Sequence, residues 1–153
     1  MSDNYKKLFA ELKKLIPNER LLNDELQTFA YGTDASFYRL TPKIVVKAVS
    51  EDEVVFVIKK CNQFNIPITF RSSGTSLSGQ SISDSVLLIA DRSWNQIKIS
   101  DVKSTITLQP AALGGRANLE LTKYNQKIGP DPASINAATV AGIVVNNASG
   151  MTS

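Results

Sequence analysis

The segment from Lys43 to Phe70 constrains the fold of this 153-residue chain more than any other. Lys43-Ile44-Val45-Val46-Lys47 is a β-branched run, and side chains of that shape pack well on a pleated surface, so it predicts a strand. Ser50 followed by Glu53 reads as a capping box, and Glu51, Asp52 and Glu53 suit the positive end of a helix dipole. Val54, Val57, Ile58 and Cys61 then share one helical face, with Lys59 and Lys60 at the negative end. Ile66-Pro67-Ile68-Thr69-Phe70 reads as the next strand. Strand, helix and strand in so few residues predict a right-handed parallel βαβ unit.

The flanks are less regular. Leu8, Leu12 and Leu15 recur at helical spacing after Ser2 and Asp3, which predicts an amphipathic helix ending at Pro17. A short second helix is expected from an Asn23 cap towards Tyr31, stopped by Gly32. Thr33-Asp34-Ala35-Ser36 follows as a polar turn. Downstream, Val86–Ile89, Gln96–Ile99 and Thr105–Leu108 read as short strands whose close spacing suits antiparallel meanders. A helix is expected from about Ala117 to Tyr124, then a stiff turn at Gly129-Pro130-Asp131-Pro132-Ala133-Ser134. Thr139 would cap a last apolar stretch, Val140 to Val145. The expected fold is therefore α+β: a small parallel βαβ subdomain followed by a mostly antiparallel one. The apolar small-residue segment before Asn146 has nothing after it to cover it, so the domain is expected to be an N-terminal piece, incomplete at its C-terminus.

Composition narrows function mainly by exclusion. Seventeen Lys and Arg against fourteen Asp and Glu leave a net charge of +3, which tolerates an anionic ligand and is too small and scattered for nucleic acid. Lys6, Lys7, Lys13 and Lys14 are most simply the wet face of the first helix. With one cysteine and no histidine, the chain holds no disulfide, no cysteine or histidine metal centre and no histidine-based catalytic dyad. The polar N-terminus shows neither a signal peptide nor an apolar span, so the expectation is cytoplasmic, with membrane attachment through a partner left open.

The loop Arg71-Ser72-Ser73-Gly74-Thr75-Ser76-Leu77-Ser78-Gly79-Gln80 is the chemically suggestive element. A dinucleotide-binding glycine loop opens a helix, whereas Gly74 and Gly79 lead towards a strand. An NTPase P-loop needs a lysine, and none occurs between Lys60 and Lys98. Two readings remain open. The loop is a plain turn of Gly and Ser, or its small residues expose successive N–H groups as a nest for phosphate oxygens, with the hydroxyls as further donors. Arg71 would add charge or pair with an acidic neighbour. The segment Ala138–Asn147 offers the same choice between a ligand-approaching helix start and a tight packing face.

Taken together, Tyr31-Gly32-Thr33-Asp34-Ala35-Ser36, RSSGTSLSGQ and PDPASINAATVAGIVVNNASGM resemble the FAD-binding domain of the vanillyl-alcohol oxidase / p-cresol methylhydroxylase (PCMH-type) superfamily, in the branch of D-lactate dehydrogenases and glycolate oxidase flavin subunits. The resemblance covers nearly the whole chain from Glu25 onward and divides it into an N-terminal helical segment, 1–32, and a truncated FAD-binding domain, 33–153. It implies that Ser72, Ser73, Gly74, Thr75, Ser76 and Gly79 wrap the FAD pyrophosphate. It also implies that Pro132, Ser134, Thr139, Gly142 and Asn146 line the flavin and its phosphates. Ser72 and Ser73 stand where the family usually has glycine, Ala141 where a double glycine is common, and Ala111 replaces a frequent glycine after Pro110. Each adds bulk near the cofactor. With no histidine, and Cys61 on a core-facing helix side, the FAD is expected to be non-covalent.

The implied activity of the full protein is oxidation of a small 2-hydroxy acid such as D-lactate or glycolate, with a C-terminal domain or partner subunit completing the enzyme. No catalytic residue is expected in this part; Asp34, Asp131 and Arg71 read as caps and turn formers. The rival readings are another PCMH-type oxidase or reductase, and an inactive or partner-dependent nucleotide-binding module.

Overall fold

The computed structural model of the chain describes residues 3–102 and 104–151; Ser2, Thr152 and Ser153 of the sequence reading lie outside them. The chain divides into two compact units, Met1–Asp91 and Arg92–Ser153.

The first unit contains α1 (Asp3–Leu12), a 3-10 turn (Asn18–Arg20), β1 (Leu21–Leu22), α2 (Glu25–Phe29), β2 (Ile44–Ala48), α3 (Glu51–Gln63), β3 (Ile68–Arg71) and β4 (Val86–Ala90). The sheet order is β1-β2-β4-β3, with β1 antiparallel to β2 and the other pairs parallel. Ile44, Val45 and Val46 are all buried, as are Val86, Leu87 and Leu88, because the central strands are covered on both faces. Such a strand reads as a continuous apolar run, and each of these side chains contributes roughly 1.5–3 kcal/mol by burial.

The helices follow their caps. Ser50 Oγ accepts the Glu53 N–H at 3.3 Å and starts α3. The Glu53 carboxylate does not close the capping box onto Ser50. It accepts the Val49 N–H at 2.9 Å and forms a two-pronged ion pair with Arg20, both contacts at 2.7 Å. Burial raises the Glu53 pKa, but Arg20 and Val49 outweigh it and the carboxyl is held below its ordinary value. Val57 and Cys61 point into the core with Leu8, Leu12 and Ile16 from the N-terminal segment. Ile16, not Leu15, completes that face; helical geometry lapses after Leu12, and Leu15 is 47% exposed. The cap of α2 is Asp24 rather than Asn23, since the Asp24 carboxylate reaches the N–H groups of Leu26 and Gln27 at 3.1 Å.

The expected strand topology is overturned as well. β4 does not belong to an antiparallel meander; it inserts in parallel between β2 and β3. Adjacent parallel strands need a crossover, usually helical. Here residues 72–85 return without a helix, and buried serines replace its backbone hydrogen bonds. The Ser85 hydroxyl donates to Pro67 O at 2.7 Å and accepts from the Tyr5 hydroxyl. Ser83 Oγ accepts the Ser85 N–H at 3.1 Å. Ser81 is equally buried and bonded to Asp34.

The second unit holds β5 (Ile97–Ile99) antiparallel to β6 (Ile106–Leu108), then α4 (Gly114–Thr122) and α5 (Val140–Val145). α4 begins earlier than expected, on Gly114 and Gly115. A Cβ on Gly114 would lie 2.5 Å from Ile135 Cδ1, and one on Gly115 would lie 3.2 Å from the Asn136 Cα. The helix start is thus pressed onto the 135–143 segment, and the glycines are required by that approach. Among the described residues no helix is long and apolar enough to cross a membrane.

Candidate functional site

The loop that leaves β3 lies at the carboxyl end of a parallel sheet, the end at which open α/β sheets receive ligands. Gly74 and Gly79 have φ of +73° and +74°, a region that other residues enter only with strain. At Gly74 a Cβ would come within 2.5 Å of Arg71 Nη2, and at Gly79 within 2.9 Å of the Tyr38 ring. Bare backbone is therefore demanded at both positions.

The loop's polar groups divide into engaged and open ones. The Gly74 carbonyl accepts the Ala35 N–H at 3.0 Å, so the trans peptide sends the Thr75 N–H the other way. Among the described residues the N–H groups of Ser73, Gly74 and Thr75 take no acceptor within the chain. Ser76 is turned inward: its hydroxyl meets Gln80 Oε1, and its Oγ accepts the Ser78 N–H at 3.2 Å. The hydroxyl expected there as a ligand donor is thus already used by the loop.

Arg71 is not presented outward. Its guanidinium donates to the carbonyls of Thr33 at 2.7 Å and Tyr31 at 3.2 Å. Burial pushes its pKa down, against the nearby Asp34 charge. Asp34 accepts the Ser36 N–H at 2.8 Å and the Ser81 hydroxyl at 3.0 Å. Burial works against its charged form, and these hydrogen bonds overcome it, so the carboxyl sits below its ordinary value. Beyond Gly79, an open hollow of about 360 Å3 is lined by Tyr38, Arg39, Leu40, Ser78, Gly79 and Ile82.

The remaining sequence candidates belong to the second unit. Pro132 is buried, and the turn closes through Pro132 O and Ser134 O, which accept from Ile135 and Ala138 at 2.9 and 2.7 Å. Thr139 occupies the cap position of α5 but makes no side-chain capping hydrogen bond. The N–H groups of Val140 and Ala141 donate to Ala112 O and Pro110 O at 2.7 and 3.2 Å. The expectation of a free helix start is therefore corrected: strand-like pairing with the 110–113 segment has consumed its first donors. Gly142 is half-buried and Asn146 exposed at the far end of α5. Ser72–Gly79 come together on one loop; Pro132, Ser134, Thr139, Gly142 and Asn146 lie along one turn and the helix after it.

A glycine-supported loop with open N–H groups, at the carboxyl end of parallel strands, suits a diphosphate. The family profile described as FAD binding domain matches residues 42–153. The chain belongs to this family. Among curated proteins, this FAD-binding chain is 27% identical to glycolate oxidase subunit GlcD of Escherichia coli (strain K12), covering 92% of the chain and 29% of that protein. It is 29% identical to a D-lactate dehydrogenase of Anaerostipes hadrus, covering 94% of the chain and 31% of that protein. A D-2-hydroxyglutarate dehydrogenase of Pseudomonas putida is 25% identical, over 97% of the chain and 15% of that protein. The fold is shared with solved structures of alkyldihydroxyacetonephosphate synthase and p-cresol methylhydroxylase, at TM-scores of 0.80 and 0.77 and identities of 21% and 20%. These matches cover 95% and 97% of the chain and 30% of each structure. The chain thus spans about three tenths of the first relatives it matches.

The parallel first unit and the second unit, with its antiparallel β5–β6 pair and two helices, fit the PCMH-type α+β expectation, with β4 transferred to the parallel sheet. Sequence reasoning quoted Tyr31 and Thr33 in a family motif without giving them a role and missed Tyr38; they meet the loop through carbonyls and a ring. The Asp34-x-Ser36 spacing, typical of an Asx turn, was a further local signal.

Proposed function

We propose that the chain is the FAD-holding part of a flavin-dependent oxidoreductase acting on a small 2-hydroxy acid. The observation that carries the reading is the loop at Gly74: a left-handed glycine flanked by unengaged N–H groups, in a chain of the FAD binding domain family. In this reading the N–H groups of Ser73, Gly74 and Thr75 donate to the pyrophosphate, with Ser72, Ser76 and Gly79 shaping the loop. Pro132, Ser134, Thr139, Gly142 and Asn146 contribute contacts to the flavin and its phosphates, through side chains and the Gly142 N–H rather than the first donors of α5. Bound FAD supplies the hydride acceptor; these residues hold and orient it.

The cofactor is non-covalent in this reading: the chain has no histidine, and Cys61 is buried with its thiol pushed up to about 11. The FAD-binding domain is taken as residues 33–153, after an N-terminal helical segment, 1–32. The substrate class follows the names of the glycolate, D-lactate and D-2-hydroxyglutarate relatives. Their greater length supports a further domain or partner subunit that carries substrate-binding and acid–base groups. Val144 and Val145, 68% and 87% exposed on α5, favour such a partner. The free buried thiol is compatible with a cytoplasmic setting.

Anaerobic flavin bleaching tests the substrate class in a protein extended to the relatives' length. Glycolate, D-lactate or D-2-hydroxyglutarate should bleach bound FAD in a single turnover. Bleaching by none of them, with bound FAD present, rejects the 2-hydroxy-acid reading.

A further inference from the structure

We propose that Arg71 and Asp34 are positioning residues that clamp the Tyr31–Ser36 turn to both ends of the loop, setting its N–H groups before the ligand arrives. Four hydrogen bonds define the clamp. At the near end, Arg71 reaches back from the last position of β3 and donates to Tyr31 O and Thr33 O. At the far end, Asp34 receives the buried Ser81 hydroxyl at 3.0 Å. Between them, the Ala35 N–H is bonded to Gly74 O. Asp34 is itself fixed by the Ser36 N–H, so its second oxygen has one direction to offer. Gly74 packs against the guanidinium, which holds the left-handed residue from one side.

A flexible loop must lose conformational freedom when a ligand orders it, and each residue fixed adds to that cost. The clamp meets that cost during folding, so binding does not. Arg71 thereby acts on a phosphate through the loop's shape, not by touching it. The role assigned to the clamp rests on the reading that this loop takes the pyrophosphate.

The test uses Arg71→Met, Asp34→Ala and Asp34→Asn, with far-UV circular dichroism as the folding check. The first readout is amide exchange at Ala35 in the ligand-free chain, since neither Arg71 nor Asp34 bonds that N–H. Losing hydrogen bonds to a charged group should speed it about tenfold, while Val45 and Leu87 amides exchange as in wild type. Asp34→Asn keeps an acceptor for Ser36 and a partner for Ser81, and should restore most of the protection. The second readout is the FAD dissociation constant against salt. Arg71→Met should weaken binding about tenfold with an unchanged salt slope, because a screened charge contact is not what was lost.

Unchanged Ala35 exchange in both Arg71→Met and Asp34→Ala overturns the clamp, and so does a flattened salt slope, which would put Arg71 on the phosphate. Gly74→Val separates the two readings. If it leaves FAD affinity intact, the loop is not the pyrophosphate site, whatever Ala35 exchange shows.

Discussion

Replacing Gly74 with valine should cost the loop its binding shape at a calculable level. An L-residue forced to φ of +73° pays about 1–2 kcal/mol, and a β-branched one pays at least the upper figure. The new Cβ would also lie 2.5 Å from Arg71 Nη2. A guanidinium at the end of a free side chain would swing away, but this one is held by Thr33 O and Tyr31 O. Displacing it forfeits hydrogen bonds to a charged group, worth about 1.5–3 kcal/mol. The combined penalty is about 3 kcal/mol or more, and at 1.4 kcal/mol per tenfold it weakens FAD binding by over about 100-fold. Flavin fluorescence during an equilibrium FAD titration reads this directly. Far-UV circular dichroism should be unchanged, because residues 72–79 contribute neither helix nor strand. Gly74→Ala, with a smaller side chain, should fall between wild type and valine. A valine variant that binds FAD within twofold of wild type would refute the reasoning.

Other expectations follow from the two units separately. Glu53→Ala strands Arg20 in a mostly buried setting and should destabilise the chain by about 3 kcal/mol in urea at pH 7. Because the folded Glu53 pKa is depressed, the pair's contribution is present above the unfolded value near 4.5 and fades as pH falls through the lower folded value. Wild type and variant stabilities should therefore converge in acid. Gly115→Ala opposes helix propensity to packing: propensity alone predicts a gain of about 1 kcal/mol, whereas the approach of Asn136 predicts a lower melting temperature. Cys61, buried with its thiol pushed up to about 11, should resist thiol reagents at pH 8 in the folded chain and react once urea unfolds it.

Local chemistry was the legible part of this sequence. The Ser50 cap, the Val57/Cys61 face and the βαβ elements are written in short-range spacing, and the structure contains them. The partner of β2 was not legible. A crossover lacking a helix looks like a hairpin region in sequence, and the serines at 81, 83 and 85 that stabilise it look like an ordinary polar loop. Helix ends failed where tertiary contacts decide them. Gly114 and Gly115 are poor helix residues by propensity, yet they start α4, where their N–H groups are held by Ala138 O and Ile135 O and Asn136 comes close to Gly115. At the site, the glycine positions were readable from composition. The pinning of Arg71 and the consumed N–H groups of Val140 and Ala141 depend on contacts between residues distant in sequence, whereas the Ser76–Gln80 bond lies within the loop itself.

Amide NMR during an FAD titration is the most direct test of the pyrophosphate loop. The N–H resonances of Ser73, Gly74 and Thr75 should move saturably with FAD and with ADP, and stay still with riboflavin. If flavin fluorescence shows FAD saturating while those three amides remain fixed, the loop does not hold the pyrophosphate.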